Sequence, residues 1–272
     1  MSSDPNFSGN YPIETRDGEI ERLYIQGAAM APDATTMLDR IGVASGWHCL
    51  DFGCGPGGIT ELMSERVGPA GRVVGLDMNA RFLDHARKSA PANVEFINGD
   101  AYHASLPERG FDLVHMRFVA STAGGPELLI REAMRLTRPG GFVALQDPDM
   151  GALNCYPPNP AWEALKTALQ GAFTSVGADI NLAQRTYALM RRAGLEDVQY
   201  RPFIIGVRSN DPMRDYLPAT VESLRGTILG NKLMTAAALE AALAHCRAHI
   251  RDPDTAFTMY IVAQVWGRVP KL

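Results

Sequence analysis

The run Asp51-Phe52-Gly53-Cys54-Gly55-Pro56-Gly57-Gly58 sets a carboxylate beside closely spaced glycines. Glycines at that density let a backbone turn tightly and approach a ligand with no Cβ in the way. A helix opening just beyond the turn offers unpaired N–H groups to a carboxylate or another anionic group. Asp77 follows roughly 20 residues after the glycines, the interval at which an acid accepts hydrogen bonds from ribose hydroxyls. A third carboxylate comes in Asn98-Gly99-Asp100-Ala101. The chemistry these residues suggest is the holding of a ligand with a ribose and an anionic end. The glycine turn alone is ambiguous, since Gly53, Gly55 and Gly58 also fit G-x-G-x-x-G and structural turns of this kind are common.

The three acids matter together only if the fold brings them to one edge. Trp47 to Phe52 reads as a strand running into the glycine turn, and Ile59 to Val67 as a helix. Arg72 to Asp77 is a second strand, Ala80 to Ala90 a second helix, and Val94 to Ile97 a third strand. Phe111 to Met116 is a fourth strand, followed by a helix over about Glu127 to Leu136, an Arg138-Pro139-Gly140-Gly141 turn and a fifth strand, Phe142 to Gln146. This alternation implies an α/β fold: a Rossmann-like, doubly wound, mostly parallel sheet. In such sheets a ligand lies across the carboxyl ends of the strands, where all three acidic turns converge. One Asp after a strand is usually a helix cap, whereas three in register are not explained that way.

Beyond the fifth strand the pattern loosens. Helical stretches occupy about Pro160 to Gly177, Asn181 to Ala193 and much of Ser209 to Asp254, between strand-like runs at Val198 to Ile205 and Thr258 to Trp266. With no repeat and no clean linker, residues 1–272 read as one domain: a helical segment 1–46, a ligand-binding core 47–147 and helical insertions 148–196 and 206–254.

In these segments the chain resembles class I S-adenosylmethionine-dependent methyltransferases, small-molecule type, similar to ubiquinone/menaquinone-biosynthesis methyltransferases and natural-product methyltransferases. The matching runs are Leu50 to Gly57, Val74 to Asp77, Asn98 to Ala101, Phe111 to Val114 and Leu136 to Gly141, so the resemblance covers about Trp47 to Asp147. It implies S-adenosyl-L-methionine as cofactor and S-adenosyl-L-homocysteine as product. It further implies that Asp51 with Gly53, Gly55 and Gly57 holds the methionine portion, Asp77 the ribose, Met78 the adenine face, and Asp100 with Ala101 the adenine edge; Met116 is counted with them. A final antiparallel strand and a helical lid are expected on the same ground. The alternative is an NAD(P)-dependent oxidoreductase, which explains the glycines and Asp77 equally well. It does not predict Gly99-Asp100 or the Arg-Pro-Gly-Gly turn, and no catalytic Tyr/Lys or His/Asp set stands out. A second alternative is a cyclase or binding protein that holds the cofactor without methylating.

Methyl transfer from a sulfonium needs chiefly positioning and exclusion of water, and a general base only where the nucleophile loses a proton. Residues past the fourth and fifth strands stand where the methyl would point. His115 is a candidate base or, equally, a hydrogen-bonded core histidine. Asp147 and Asp149 either orient an acceptor hydroxyl or amine or simply make a turn around Pro148. Arg117, Phe118, Tyr156 and Tyr216 are candidate acceptor contacts, with 209–254 as a lid over them. Tyr11, Arg22, Tyr24 and Gln26 are expected to close the other side, Arg22 either pairing with the cofactor carboxylate or making a surface salt bridge. The acceptor is expected to be a small molecule, with carbon, oxygen and nitrogen all open and a biosynthetic role implied by the resemblance.

Composition narrows the partners. A net charge of −4 with no Lys/Arg run disfavours nucleic acid, and no apolar stretch reaches the roughly 20 residues of a membrane span. Met1 to Asn10 is polar and lacks a signal-peptide pattern, and four scattered cysteines suit free thiols in a reducing cytoplasm rather than disulfides or zinc. His245 and His249 sit one helical turn apart but lack a third ligand, so no metal is expected. Tyr156-Pro157-Pro158 has the wrong order and place for the N-P-P-Y motif of nucleic-acid amino methylation. A homo-oligomer is left open.

Overall fold

The computed structural model describes residues 18–271. Helix α1 (Glu19–Ile41) precedes the sheet and ends where Gly42 takes a left-handed conformation. The alternating core follows: β1 (His48–Phe52), α2 (Ile59–Val67), β2 (Arg72–Asp77), α3 (Ala80–Ala86), β3 (Val94–Asn98), β4 (Phe111–Arg117), α4 (Val119–Ala123), α5 (Pro126–Leu136) and β5 (Thr137–Asp149). The second part holds β6 (Asn154–Tyr156), α6 (Pro160–Ser175), α7 (Ala183–Arg192), β7 (Glu196–Phe203), β8 (Gly206–Arg208), α8 (Tyr216–Ser223), α9 (Arg225–Gly230), α10 (Ala236–His249), β9 (Ala256–Thr258) and β10 (Ile261–Arg268).

The main sheet has seven strands in the order β3-β2-β1-β4-β5-β10-β7. Strands β1 to β5 pair parallel, and β10 enters antiparallel between β5 and β7. The expected final antiparallel strand is therefore present, although the run Thr258 to Trp266 divides: Ala256–Thr258 leaves for a second sheet and Ile261–Arg268 completes the first. The Arg-Pro-Gly-Gly turn is absorbed into β5, whose pairing with β4 jumps from Phe111↔Thr137 to Leu113↔Phe142 across it.

Both faces of the sheet are buried, so its central strands carry apolar residues at successive positions. Cys49, Leu113, Phe142, Ala144 and Trp266 meet Ala34, Met37, Leu38 and Ile41 of α1 and Ile59, Met63 and Val67 of α2. The opposite face packs Leu50, Phe52, Val114, Met116, Val143 and Leu145 against α5 and α7. Each fully buried Leu or Met contributes about 1.5–3 kcal/mol by leaving water.

The insertions form more than a flap. Trp162, Leu165 and Leu169 of α6 bury against Leu217 and Val221 of α8, Ile228 of α9 and Leu239 and Leu243 of α10. A three-stranded antiparallel sheet, β6-β9-β8, lies with them, and its Cys155, Val207 and Phe257 join the same core. Sequence periodicity does not reveal this sheet because each strand has three residues.

Candidate functional site

A cavity of about 600 Å³ opens at the carboxyl edge of the parallel strands. The glycine turn, Asp77, Met78, Asp100 and Ala101 line one part of it; Phe118, Met150, Leu169, Phe173, Tyr216 and Tyr260 line the other. α1 contributes Arg22, Leu23 and Gln26 to the wall, as expected for the segment closing that side. Tyr24 ties α1 to the turn by donating to the Pro56 carbonyl, 3.0 Å. Tyr11 lies outside the described residues.

The turn cannot carry side chains at its crossing. Gly53 sits at φ +61, and a Cβ there would meet Val119 Cγ2 at 2.4 Å. Its backbone thus passes directly beneath the cavity with nothing projecting. Asp77 accepts the Gly55 N–H through Oδ2 and the Asn79 N–H through Oδ1, both at 2.8 Å, which clamps the turn to the end of β2. Burial raises its pKa against those stabilising N–H bonds. Each oxygen keeps a lone pair for a further donor, as a ribose diol requires. Asp100 accepts the Tyr102 N–H at 2.9 Å, and Met78, 54% exposed, presents an apolar face at the same edge.

At the opposite end of the turn stand Asp51 and Arg117. Asp51 is 4% exposed, and its Oδ1 is held by His115 Nδ1 at 2.7 Å. The Arg117 guanidinium lies in the cavity wall close to α1 and to the start of α2, 3.6 Å from where a Cβ on Gly27 would stand and 3.9 Å from one on Gly58. Among the described residues no group hydrogen-bonds to it. Desolvation lowers its pKa, more than the nearby Asp51 charge raises it. A cation in such a place calls for an anionic partner. Arg22 already has one: its guanidinium grips Glu19 at 2.6 Å, and Glu19 also accepts the Ser223 hydroxyl at 3.1 Å, joining α1 to α8. Of the two arginines, Arg117 is the one suited to a ligand's carboxylate.

The other part of the cavity is aromatic. Phe118 is held at φ 62, a conformation unusual for a bulky residue, while its N–H donates to the Gln146 carbonyl at 2.8 Å. Its ring meets Tyr260 edge-on at 5.7 Å, and Tyr260 lies 5.7 Å from Tyr216. Gln26 donates to the Tyr260 hydroxyl at 2.6 Å. Burial raises the pKa of both tyrosines, so neither serves as a ready base.

Several sequence expectations lie elsewhere in the molecule. His115 lines the cavity but is fully buried, and both ring nitrogens are engaged: Nδ1 with Asp51 and Nε2 with Gln146 at 2.9 Å. It is the hydrogen-bonded core histidine of the two readings and has no nitrogen left to take an acceptor's proton. Asp147 does not reach the cavity. Successive residues of a strand face opposite ways, so Gln146 turns toward α1 and Asp147 toward α4 and α7. There Asp147 is 1% exposed, with both oxygens lacking a hydrogen bond of ordinary geometry. The nearby Ser121 and Thr186 hydroxyls already donate to the Phe118 and Leu182 carbonyls, at 3.2 and 2.9 Å. Met116 is buried in the core on that same far face. Asp149 caps a short turn, accepting the Gly151 N–H at 2.9 Å, and does not line the cavity. Tyr156 is 55% exposed on the small sheet. Sequence reading missed Tyr260, Phe173 and Thr220, which a contact between distant elements brings in and no local motif marks. His249 Nε2 contacts the Pro157 carbonyl at 3.0 Å, and among the described residues no metal-binding cluster of His, Cys, Asp and Glu occurs. The four cysteines are buried and free, and no helix among the described residues is long and apolar enough to cross a membrane.

A glycine turn, an acid at the end of β2 and a seven-stranded sheet with one reversed strand define the class I S-adenosylmethionine-dependent methyltransferase fold. Residues 49–141 match the family model described as a methyltransferase domain. Trans-aconitate 2-methyltransferase of Paracidovorax citrulli is 38% identical over 117 residues, 43% of this chain and 44% of that protein. The ubiquinone/menaquinone biosynthesis C-methyltransferase of Hahella chejuensis is 34% identical over 109 residues, 38% of this chain and 44% of that protein. The chain thus spans less than half the length of these curated relatives. Among solved structures, Haemonchus contortus phosphoethanolamine N-methyltransferase 2, in complex with phosphomonomethylethanolamine and S-adenosylhomocysteine, superposes with TM-score 0.56 at 17% identity, over 88% of this chain and 53% of that one. The [4+2]-cyclase SpnF superposes with the same TM-score, 0.56, at 17% identity, over 97% of this chain and 88% of that one.

Proposed function

We propose that the chain, acting as one domain, is an S-adenosylmethionine-dependent methyltransferase whose acceptor is a small molecule enclosed under the helical cap. The observation that carries this reading is the Asp51–Arg117 pair at the end of the glycine turn. Among the described residues, an acid with one oxygen free of hydrogen bonds and a guanidinium with no hydrogen-bond partner match the ammonium and carboxylate of an α-amino acid. Arg117, first read as an acceptor contact, is thereby assigned to the methionine portion of the cofactor. Asp77 accepts from the ribose hydroxyls, Met78 covers the adenine, and Asp100 with Ala101 lines its edge. Held there, S-adenosylmethionine would supply a methyl group on a sulfonium, available to an electron pair of the acceptor with the thioether as leaving group.

The chain's own contribution is orientation and exclusion of water. Phe118, Phe173, Tyr216 and Tyr260 give the acceptor chamber aromatic walls, and α1 and the cap close over it. With His115 fully bonded and Asp147 on the far face, neither proposed base reaches the acceptor. This supports an acceptor whose attacking atom does not pass a proton to either residue, whether carbon, oxygen or nitrogen. Four free thiols suit a reducing cytoplasm, and the relatives' names suit a biosynthetic role.

Calorimetric titration with S-adenosylmethionine, S-adenosylhomocysteine and NADH tests the reading. Binding of the adenosyl sulfur compounds alone is expected; binding of NADH alone would replace the reading with an oxidoreductase. The likeness to the SpnF fold keeps a non-methylating cyclase as the second reading. Release of S-adenosylhomocysteine with any member of an acceptor panel excludes that alternative.

A further inference from the structure

A row of polar side chains crosses the main sheet on the face that packs against α1. Asp51, His115, Gln146, Gln264 and Arg201 come from β1, β4, β5, β10 and β7, five strands adjacent in the sheet. Asp51 is in register with His115, Gln146 with Gln264, and Gln264 with Arg201. His115, Gln146 and Gln264 are fully buried, so each hydrogen bond among them is costly to leave unmade.

The direction of donation along this row is forced from one end. Arg201 can only donate, and it donates to Gln264 Oε1 at 2.8 Å and to the Asp33 carboxylate at 2.6 Å. The Gln264 amide nitrogen must therefore face the other way. There it donates to the Asp33 backbone carbonyl and to Gln146 Oε1, both at 3.0 Å. With its oxygen taken, Gln146 turns its nitrogen to His115 Nε2 at 2.9 Å. That nitrogen must accept, so the imidazole proton sits on Nδ1 and is given to Asp51 Oδ1 at 2.7 Å.

We infer that Arg201, Gln264 and Gln146 are positioning residues for the amino-acid end of the ligand, acting through His115 on Asp51. Building on the cofactor reading above, the row fixes the neutral Nδ1–H tautomer of His115. It holds one Asp51 oxygen in place and leaves the other, with the carboxylate's negative charge, for the ligand's ammonium. Arg201 performs this from the edge strand, outside the cavity lining, by polarising a chain of donors that all point toward Asp51. The Arg201–Asp33 pair also fastens α1, the cavity's wall, to the same row.

The test has two arms. In isotope-labelled wild-type protein, long-range proton–nitrogen correlation at neutral pH reads the His115 tautomer, assigned by the signal lost in His115→Gln. Protonated Nδ1 and bare Nε2 are expected; the reverse tautomer overturns the inference. In the second arm, Arg201→Met and Arg201→Lys are titrated with S-adenosylhomocysteine and with 5′-methylthioadenosine, which lacks the amino-acid end. Arg201→Met is expected to weaken S-adenosylhomocysteine by about fivefold, leave methylthioadenosine unchanged, and be rescued by Arg201→Lys. Equal loss for both ligands, or no loss for either, overturns the inference. A wild type that binds neither ligand refutes the cofactor reading itself, whereas the reverse tautomer in a protein that binds both refutes the row alone.

Discussion

Replacing Arg117 with Met is expected to strengthen the free protein and weaken its ligand complex, because the two states ask opposite things of the guanidinium. In the free protein the cation has no hydrogen bond from the described residues, and desolvation outweighs the pull of Asp51, lowering its pKa. A base whose charged form is disfavoured in the folded state is a net burden there, and Met keeps the length of the stem without the charge. A gain of about 1 kcal/mol in a chain of this size raises Tm by roughly 2–4 °C. In the proposed complex the same group makes a charged hydrogen bond to a carboxylate, typically about 1.5–3 kcal/mol, so affinity for S-adenosylhomocysteine is expected to fall about 10- to 100-fold. Thermal denaturation with and without ligand measures both. At a hundred times the wild-type Kd the ligand stabilises by about 2.7 kcal/mol, and a variant weakened about thirtyfold retains only about 0.9 kcal/mol of that. 5′-Methylthioadenosine, which has no carboxylate, is expected to bind the variant as it binds wild type. Unchanged S-adenosylhomocysteine affinity would refute the carboxylate assignment, and a lower Tm in the free variant would show that Arg117 is a structural tie.

Asp77→Ala removes an acceptor used by the glycine turn and proposed for the ribose, and is expected to weaken S-adenosylhomocysteine and methylthioadenosine alike by about 1.5–3 kcal/mol in calorimetry. Asp147, buried and poorly bonded, has its pKa raised to about 7 from 3.8. A carboxyl whose folded pKa is raised costs nothing below its unfolded pKa, accumulates its penalty between the two values, and carries it in full above the higher one. Asp147→Asn is therefore expected to stabilise the protein by on the order of 4 kcal/mol at about pH 8 and by less than half of that at about pH 5. Urea denaturation at the two pH values checks this, and a pH-independent difference would refute it. Leu243→Ala, in the core beneath the cap, is expected to cost about 2–5 kcal/mol by chemical denaturation. Excising 209–254 is expected to unfold the protein rather than spare cofactor binding, because that segment supplies Leu217, Val221, Ile228 and Leu239 to a shared core.

That the glycine turn, Asp77 and Asp100 meet at one sheet edge could be read from the sequence because those residues are local. A strand, a glycine turn and an acid at the next strand's end follow one another within a few dozen residues, and parallel topology does the rest. The aromatic half was legible only in part: Phe118, Tyr216 and Gln26 stood out, but Phe173 and Tyr260 reach the cavity from α6 and the approach to β10, where no local motif marks them. Asp147 and Gln146 mark the same limit at finer scale. They are neighbours on a strand buried on both faces, so no alternation of polar and apolar residues says which of them looks toward the ligand.

His115 shows what register adds to residue type. A histidine after a buried strand reads equally well as base or core residue, and its own flanks do not decide. The decision is made across the sheet: Arg201 can only donate, and each amide between it and His115 passes that constraint one strand further. The two glutamines that transmit it are separated by 118 positions and meet only because β10 runs antiparallel beside β5. The reversed strand therefore does more than close the sheet. It places Gln264 opposite Gln146 and carries the polar row from β5 to β7, so the same topological feature that marks the fold also selects the tautomer of the residue that holds Asp51.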